Sequence, residues 1–336
     1  MDNKNEKAQD FSEYLERVEH VNLEQLLSSI AQSYDLQIVE YEIITQGYED
    51  LNVKLRTDKG SFLTKIFNKE RSAAECSNIV KRFTSAFDNG VSCPKIFINK
   101  NNELLSRLGQ TKYILMEFVS GKDFQRMNRT LNQSEMMLVL DEIKKFEKLN
   151  NLRFEKIYNA WEMNNFALEY EKNFELFGQE EIALFKPIYN KFKKLNLSKF
   201  PYAYIHGDVN AGNTMKNAEN SIVLLDLCSA NYSNRINEIL TICSSGLIMD
   251  SDKKKTIENI NYIFNLWCKE FNATEIEKNN FYFLYQVQTA LNYMQAIVEY
   301  RNGNHSAENF ANLKEDYEAL MIATEILKQK ENEKIL

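Results

Sequence analysis

Three polar residues in the stretch from Tyr204 to Ala230, YIHGDVNAGNTMKNAENSIVLLDLCSA, have the types and spacing that phosphoryl transfer requires: Asp208, Asn213 and Asp226. Asp208 closes a His206-Gly207-Asp208 turn, and four residues separate it from Asn213. Asp226 follows the apolar run Ile222 to Leu225, which reads as a short buried strand. Moving a phosphoryl group onto a hydroxyl needs one carboxylate to orient the hydroxyl and accept its proton. It also needs hard oxygen ligands to hold Mg²⁺ on the nucleotide phosphates. Asp and Asn are equally the residues that cap turns and end strands through local hydrogen bonds, so spacing alone leaves that structural role open. His206 reads as a packing residue that braces the loop, not as a base or a metal ligand.

The elements that must hold these residues belong to an ordinary globular composition. The chain has 336 residues, 44% apolar and 26% charged, long enough for two lobes with a sizeable core. No apolar run approaches the ~20 residues that span a bilayer, and the start MDNKNEKAQDF is polar and acidic, so the expectation is a cytoplasmic protein without a membrane partner. Five widely spaced cysteines with no CxxC indicate neither a disulfide framework nor a zinc site. The net charge of -7 argues against nucleic acid as the principal partner and is compatible with a cationic small-molecule substrate.

Along the chain, Val21-Asn22-Leu23 opens a helix with Asn22 as N-cap. From Gln37 to Phe67 the pattern alternates, with Gly47 and Asp58-Lys59-Gly60 as turns, which predicts a small antiparallel sheet. Its last strand places Lys65 among apolar neighbours, where a lysine is either buried with a partner or turned to water at a sheet edge. A helix begun near Ser72 stops at Asp88-Asn89-Gly90, and Tyr113 to Gly121 reads as a strand that ends extended. From about Asn132 the chain is mainly helical, with a helix over Glu180 to Leu195 broken near Pro187.

The order His206-Gly207-Asp208, Asn213, apolar strand, Asp226, Ala230 resembles the H-G-D-x-x-x-x-N and D-x-x-x-A blocks of the aminoglycoside phosphotransferase and choline kinase-like family. These are small-molecule kinases with a protein-kinase-like fold. The resemblance implies a two-lobed α+β fold, with residues 1–118 as the nucleotide-covering lobe and 119–336 as a helical catalytic and substrate lobe. It implies that Asp208 is the catalytic base and that Asn213 and Asp226 hold Mg²⁺. Lys65 then reaches the phosphates of ATP, held by a carboxylate of the following helix, Glu75 in preference to Glu70. The loop at Gly47 covers the phosphates, and Met116, the carbonyl of Glu117 and the amide of Val119 surround the adenine. After Ala230, where relatives often carry an R-x-x-D that anchors the next helix, the acid here is Glu238. A protein kinase would follow its metal-binding Asp with a glycine two residues on and a long segment ending in A-P-E; Leu227-Cys228 and a quick return to helix argue against a peptide-docking platform. The expected acceptor is an amino alcohol or hydroxylated amino acid, with an aminoglycoside-type antibiotic second; Tyr48-Glu49-Asp50-Leu51-Asn52 resembles hydroxylysine kinase-like members. The rival of a different class is a catalytically silent nucleotide-binding module, against which the presence of Lys65, Asp208, Asn213 and Asp226 together speaks.

Overall fold

The computed structural model describes residues 18, 22–44, 49–149 and 158–333. The expected phosphate loop at Gly47, Tyr48 beside it, and residues 1–17 lie outside the described residues. The chain forms two compact units. The first runs up to Asp88 and adds Cys93–Ser120; the second comprises Asn89–Ser92 and everything from Gly121. The change of unit after Ser120 falls two residues past the expected 118/119 division.

The first unit is built on an antiparallel five-stranded sheet in the order β1-β2-β3-β5-β4. The strands are β1 (Ile38–Ile44), β2 (Leu51–Thr57), β3 (Gly60–Ile66), β4 (Ser106–Leu108) and β5 (Thr111–Glu117). The β2–β3 turn has Gly60 at φ +117°, a conformation that only glycine adopts without strain. Leu51, Val53 and Leu55 alternate along β2 onto one buried face, against Leu26, Leu27 and Ile30 of helix α1 (Leu23–Tyr34). As expected, Asn22 caps α1, its side chain accepting from Glu24 N at 2.8 Å. Tyr113 of β5 is fully buried and ties its hydroxyl to Ser29 and Ser33 of α1, at 3.1 and 3.3 Å. Helix α2 (Ala73–Asp88) ends before Gly90 at φ +81°.

The second unit is mainly helical: α3 (Phe124–Met127), α4 (Gln133–Glu147), α5 (Phe166–Lys172), α6 (Gln179–Phe192), α7 (Ile236–Cys243), α8 (Lys253–Glu270), α9 (Glu275–Arg301) and α10 (Ala307–Glu333). Two small sheets lie among them. One is β6-β8-β9, from Gly121–Asp123, Thr214–Asn217 and Ile222–Leu224; the other pairs β7 (Tyr202–Ile205) with β10 (Asn231–Asn234). Asn89–Ser92 belongs here because Ser92 N donates to Glu142 of α4 at 2.8 Å and Ser92 O accepts from Leu224 N at 2.8 Å. The expected break at Pro187 does not occur. Proline withdraws one backbone donor from α6, and burial of Phe185, Ile188 and Phe192 on its inner face offsets that loss. No helix among the described residues is long and apolar enough to cross a membrane.

Candidate active site

The segment from His206 to Asn213 is fixed by two antiparallel pairings that flank it. On its N-terminal side Ile205 of β7 stands opposite Asn231 of β10. On its C-terminal side Thr214 of β8 pairs with Leu224 of β9, and one further bond, Leu225 N to Asn213 O at 2.8 Å, extends that hairpin. Asn213 therefore faces Leu225 across the hairpin, and Asp226 is the next residue along, so both proposed metal ligands are delivered to one end of the same two strands. Gly207, at φ +76°, lets the turn pass under the 227–229 segment: a Cβ there would meet Ser229 O at 2.9 Å. Asp226 is itself left-handed, φ +53°, and accepts from Cys228 N at 3.3 Å to cap the short turn Leu227–Ser229. A non-glycine residue held in that region costs on the order of 1 kcal/mol, which marks a position set by more than chain propensity.

Between these anchors Asp208 Oδ1 accepts from Asn210 Nδ2 at 2.7 Å and Oδ2 accepts from Asn213 Nδ2 at 2.7 Å. Because the nitrogen of the Asn213 amide is committed to Asp208, its Oδ1 is the atom left for a cation. Among the described residues no group of three or more His, Cys, Asp and Glu could hold a metal ion. An amide oxygen and a carboxylate nonetheless fit Mg²⁺, which binds through one or two protein oxygens and fills its octahedron with phosphate and water. They do not fit a structural zinc, which needs four N or S donors.

His206 is fully buried and edge-on to Phe146, ring centroids 5.7 Å apart. Its Nδ1 accepts from Asp208 N at 3.2 Å, so Nε2 carries the proton and donates to Leu225 O at 2.8 Å. The ring thus braces both halves of the segment, as the sequence suggested, and burial pushes its pKa down to about 4. Beneath it Glu238 of α7 accepts from His206 N and from Gly207 N, the latter at 3.3 Å. Glu238 is 1% exposed and its Oε1 has no hydrogen-bond partner among the described residues. Burial raises its pKa to about 7 against the pull of those two amides, with Asp208 and Glu147 adding repulsion. The acid expected to anchor the next helix instead anchors the His206-Gly207-Asp208 turn.

These two shifts make a prediction. Glu238, raised, favours folding fully below its unfolded pKa of 4.5 and loses that contribution as pH rises through about 7. His206, depressed, favours folding above 6.5 and loses that contribution as pH falls through about 4. Between pH 4.5 and 6.5 the folded state holds the proton on Glu238 and the unfolded state holds it on His206, so the pair contributes no slope there. In Glu238→Gln the His206 slope is unmasked, and wild type should lose on the order of 3 kcal/mol relative to this variant from pH 4.5 to 7. Denaturant titrations of both proteins across that range check it; parallel pH curves would refute it.

In the first unit Lys65 is 4% exposed, on β3 between Asn52 of β2 and Ile114 of β5, and so is not an edge lysine turned to water. Its Nζ lies 3.5 Å from Oδ2 of Asp50, which is 6% exposed. Asp50 Oδ1 also accepts from Arg71 Nε at 2.9 Å and Asn68 N at 3.0 Å. Glu75, expected as the helix partner of Lys65, is exposed and caps its own helix: Oε2 accepts from Ser72 N at 2.6 Å while Glu75 N donates to Ser72 Oγ at 3.2 Å. Those Ser72 bonds hold its carboxyl below the usual range. A reciprocal cap three residues long needs no tertiary contact, and it takes the carboxylate before a strand lysine can. Glu70 donates its amide to Asn68 Oδ1 in the connecting turn. Met116, 2% exposed, and Glu117 close β5, where Glu117 N donates to Lys95 O at 2.8 Å. Val119 follows outside any element, and its amide has no partner among the described residues.

Sequence reasoning missed Asn210, the new role of Glu238, and Asp50. Asn210 alone carried a local signal, an amide two residues from the acid in a turn.

The model of the APH phosphotransferase enzyme family matches residues 40–255, more than half of the chain. The chain belongs to this phosphotransferase family. Among curated relatives, the chain is 27% identical over 101 residues to a homoserine kinase of Parvibaculum lavamentivorans, covering 30% of this chain and 32% of that one. It is 26% identical over 96 residues to a homoserine kinase of Rhodopseudomonas palustris, covering 28% and 29%. The matched stretch spans about a third of the length of these relatives. Among solved structures it resembles an amicoumacin kinase in complex with AMP-PNP, Ca²⁺ and Ami, with TM-score 0.65, 14% identity, and 91% and 94% of the two chains covered. A microcompartment-associated aminopropanol kinase gives TM-score 0.63 at 11% identity, covering 92% and 98%. The choline kinase of Streptococcus pneumoniae gives 0.61 at 9%, covering 89% and 99%. At these identities the likeness is one of fold: the α+β small-molecule kinase fold, antiparallel sheet first and helices after.

Proposed function

We propose that this phosphotransferase transfers the γ-phosphoryl group of ATP to a hydroxyl of a small molecule, an amino alcohol or hydroxylated amino acid. The observation that carries this is the hydrogen-bonded pair of Asp208 and Asn213, with Asn213 facing Leu225 and Asp226 next along, at one end of the β8–β9 hairpin. Asp208 orients the acceptor hydroxyl and takes its proton as the new O–P bond forms; the bond from the γ-phosphorus to the β,γ-bridging oxygen breaks, and ADP leaves. Asn213 Oδ1 and the Asp226 carboxylate would hold Mg²⁺, which when bound neutralises charge on the phosphates. Lys65 would engage the α- and β-phosphates with Asp50 holding its ammonium. Glu117 C=O and Val119 N–H would read the adenine edge over Met116, with Gly47 covering the phosphates.

The homoserine kinase relatives support a hydroxylated amino acid, and the choline and aminopropanol kinases of like fold support an amino alcohol; a net charge of -7 suits an ammonium-bearing acceptor. Two measurements test the reading. At a hundredfold excess over its Kd, Mg-ATP should stabilise the folded chain by about 2.7 kcal/mol, and EDTA should abolish most of that gain. ADP release should then be measured with L-homoserine, choline, 1-amino-2-propanol and spectinomycin. Turnover on spectinomycin alone would favour an antibiotic acceptor. Stabilisation by ATP with no ADP release on any acceptor would favour a silent nucleotide-binding module.

A further inference from the structure

We infer that Asn210 is a positioning residue for the reaction proposed above, fixing the Asp208 carboxylate relative to the metal-holding amide of Asn213. The inference rests on that reading of Asp208 and Asn213. Asn210 Nδ2 donates to Asp208 Oδ1 at 2.7 Å, while its Oδ1 accepts from two backbone amides, Gly212 N and Asn213 N, each at 2.9 Å. Asn213 in turn donates to Asp208 Oδ2 at 2.7 Å and to Asp208 O at 3.2 Å. The three residues form a closed triangle in which each is bonded to the other two.

The geometry demands a particular chemistry at position 210. The side chain must donate at one end and accept twice at the other, with one methylene between it and the backbone. Asparagine does this with a single planar amide. Aspartate keeps the acceptor but loses the donor and sets a second negative charge against the base; alanine loses both. The carboxylate of Asp208 is then held by an amide on either side, so its two oxygens cannot rotate away from the acceptor hydroxyl. Outside the turn, Gln125 N donates to Ala211 O at 3.1 Å, and a Cβ at residue 212 would stand 3.0 Å from Gln125 Oε1. The α3 segment therefore fixes the backbone between the two amides from behind.

The test is a double-mutant cycle, read with Mg-ATP and the best acceptor of the panel above. Asn210→Asp preserves the bonds to Gly212 N and Asn213 N and so the fold of the turn; Asn210→Ala removes the whole side chain. Both should lower kcat about 10- to 100-fold, because an orientation error near 1 Å has that effect, while KM for ATP changes less than threefold. In an Asp208→Asn background the same changes should lower the residual rate less than twofold, since a residue that acts through Asp208 has nothing left to position. Unchanged kcat in Asn210→Asp, equal losses in both backgrounds, or a loss confined to KM for ATP would each overturn the assignment. Absence of turnover in the unsubstituted chain would overturn both this inference and the function it rests on; an active wild type with an equally active Asn210→Asp overturns this one alone.

Discussion

Asp208→Ala is expected to lower kcat by about 10²–10⁴-fold, roughly 3 to 5 kcal/mol of barrier, while leaving the Kd for Mg-ATP within about threefold of wild type. The asymmetry follows from what the side chain touches. Its two oxygens accept from Asn210 and Asn213, and the proposed nucleotide contacts belong to other groups. Removing the carboxylate takes away the proton acceptor without removing a ligand of the phosphates. Asn213→Ala and Asp226→Ala should behave in the opposite sense, losing the Mg²⁺-dependent part of ATP stabilisation along with turnover. Isothermal titration beside steady-state kinetics separates the two classes. Full turnover in Asp208→Ala would remove the base, and unaltered Mg²⁺ dependence in both other variants would remove the metal site.

Arg235→Ala should cost about 3–5 kcal/mol of folding stability, far more than loss of a surface ion pair. Arg235 precedes α7 and forks onto Glu277 of α9, Nε to Oε1 and Nη2 to Oε2 both at 2.9 Å. Its Nη1 also stands 3.5 Å from Glu147 of α4, and its guanidinium lies 5.9 Å from the ring centroid of buried Trp267. The Glu277 side chain is 0% exposed, so the variant leaves a buried carboxylate with its cation gone. Arg235→Lys should recover only part of the loss, because an ammonium cannot span both oxygens. Lys254→Ala, which breaks a 3.9 Å pair with Glu258 at 85% and 65% side-chain exposure, serves as the control and should change stability by less than about 0.5 kcal/mol. Urea midpoints at unchanged slope measure all three. Since α7 also carries Glu238, Arg235→Ala should lower the thermal stability of the His206–Gly207 turn as well. A loss near 0.5 kcal/mol for Arg235→Ala would show that the cluster is energetically idle.

The parts of this protein that could be read without coordinates are those settled by neighbours in the chain. Asp208, Asn213 and Asp226 fall within a single turn and hairpin, so their spacing already limits where they can go. The same is true of the Asn22 cap, the Asp58–Gly60 turn and the alternation of β2, because a strand of period two has only one way to bury Leu51, Val53 and Leu55. The choice of partner for a charged group was not legible in this way. Lys65 meets Asp50, fifteen residues earlier across β2 and β3, while Glu75, close in sequence and of the right type, is consumed by its own helix cap. Glu238 reaches His206 across thirty-two residues, and Arg235 reaches Glu277 across forty-two. A helix at Pro187 persists because Phe185, Ile188 and Phe192 are buried, Phe185 against Tyr170, Phe177 and the distant Tyr293, and Phe192 against Phe166. Sequence by itself determined the family pattern, the antiparallel sheet followed by helices, and the spacing of Asp208, Asn213 and Asp226; tertiary structure alone decided which carboxylate serves which cation or amide. The physical reason is that an ion pair or buried hydrogen bond depends on through-space distance and on the water removed around it, and both are fixed only when separate elements pack.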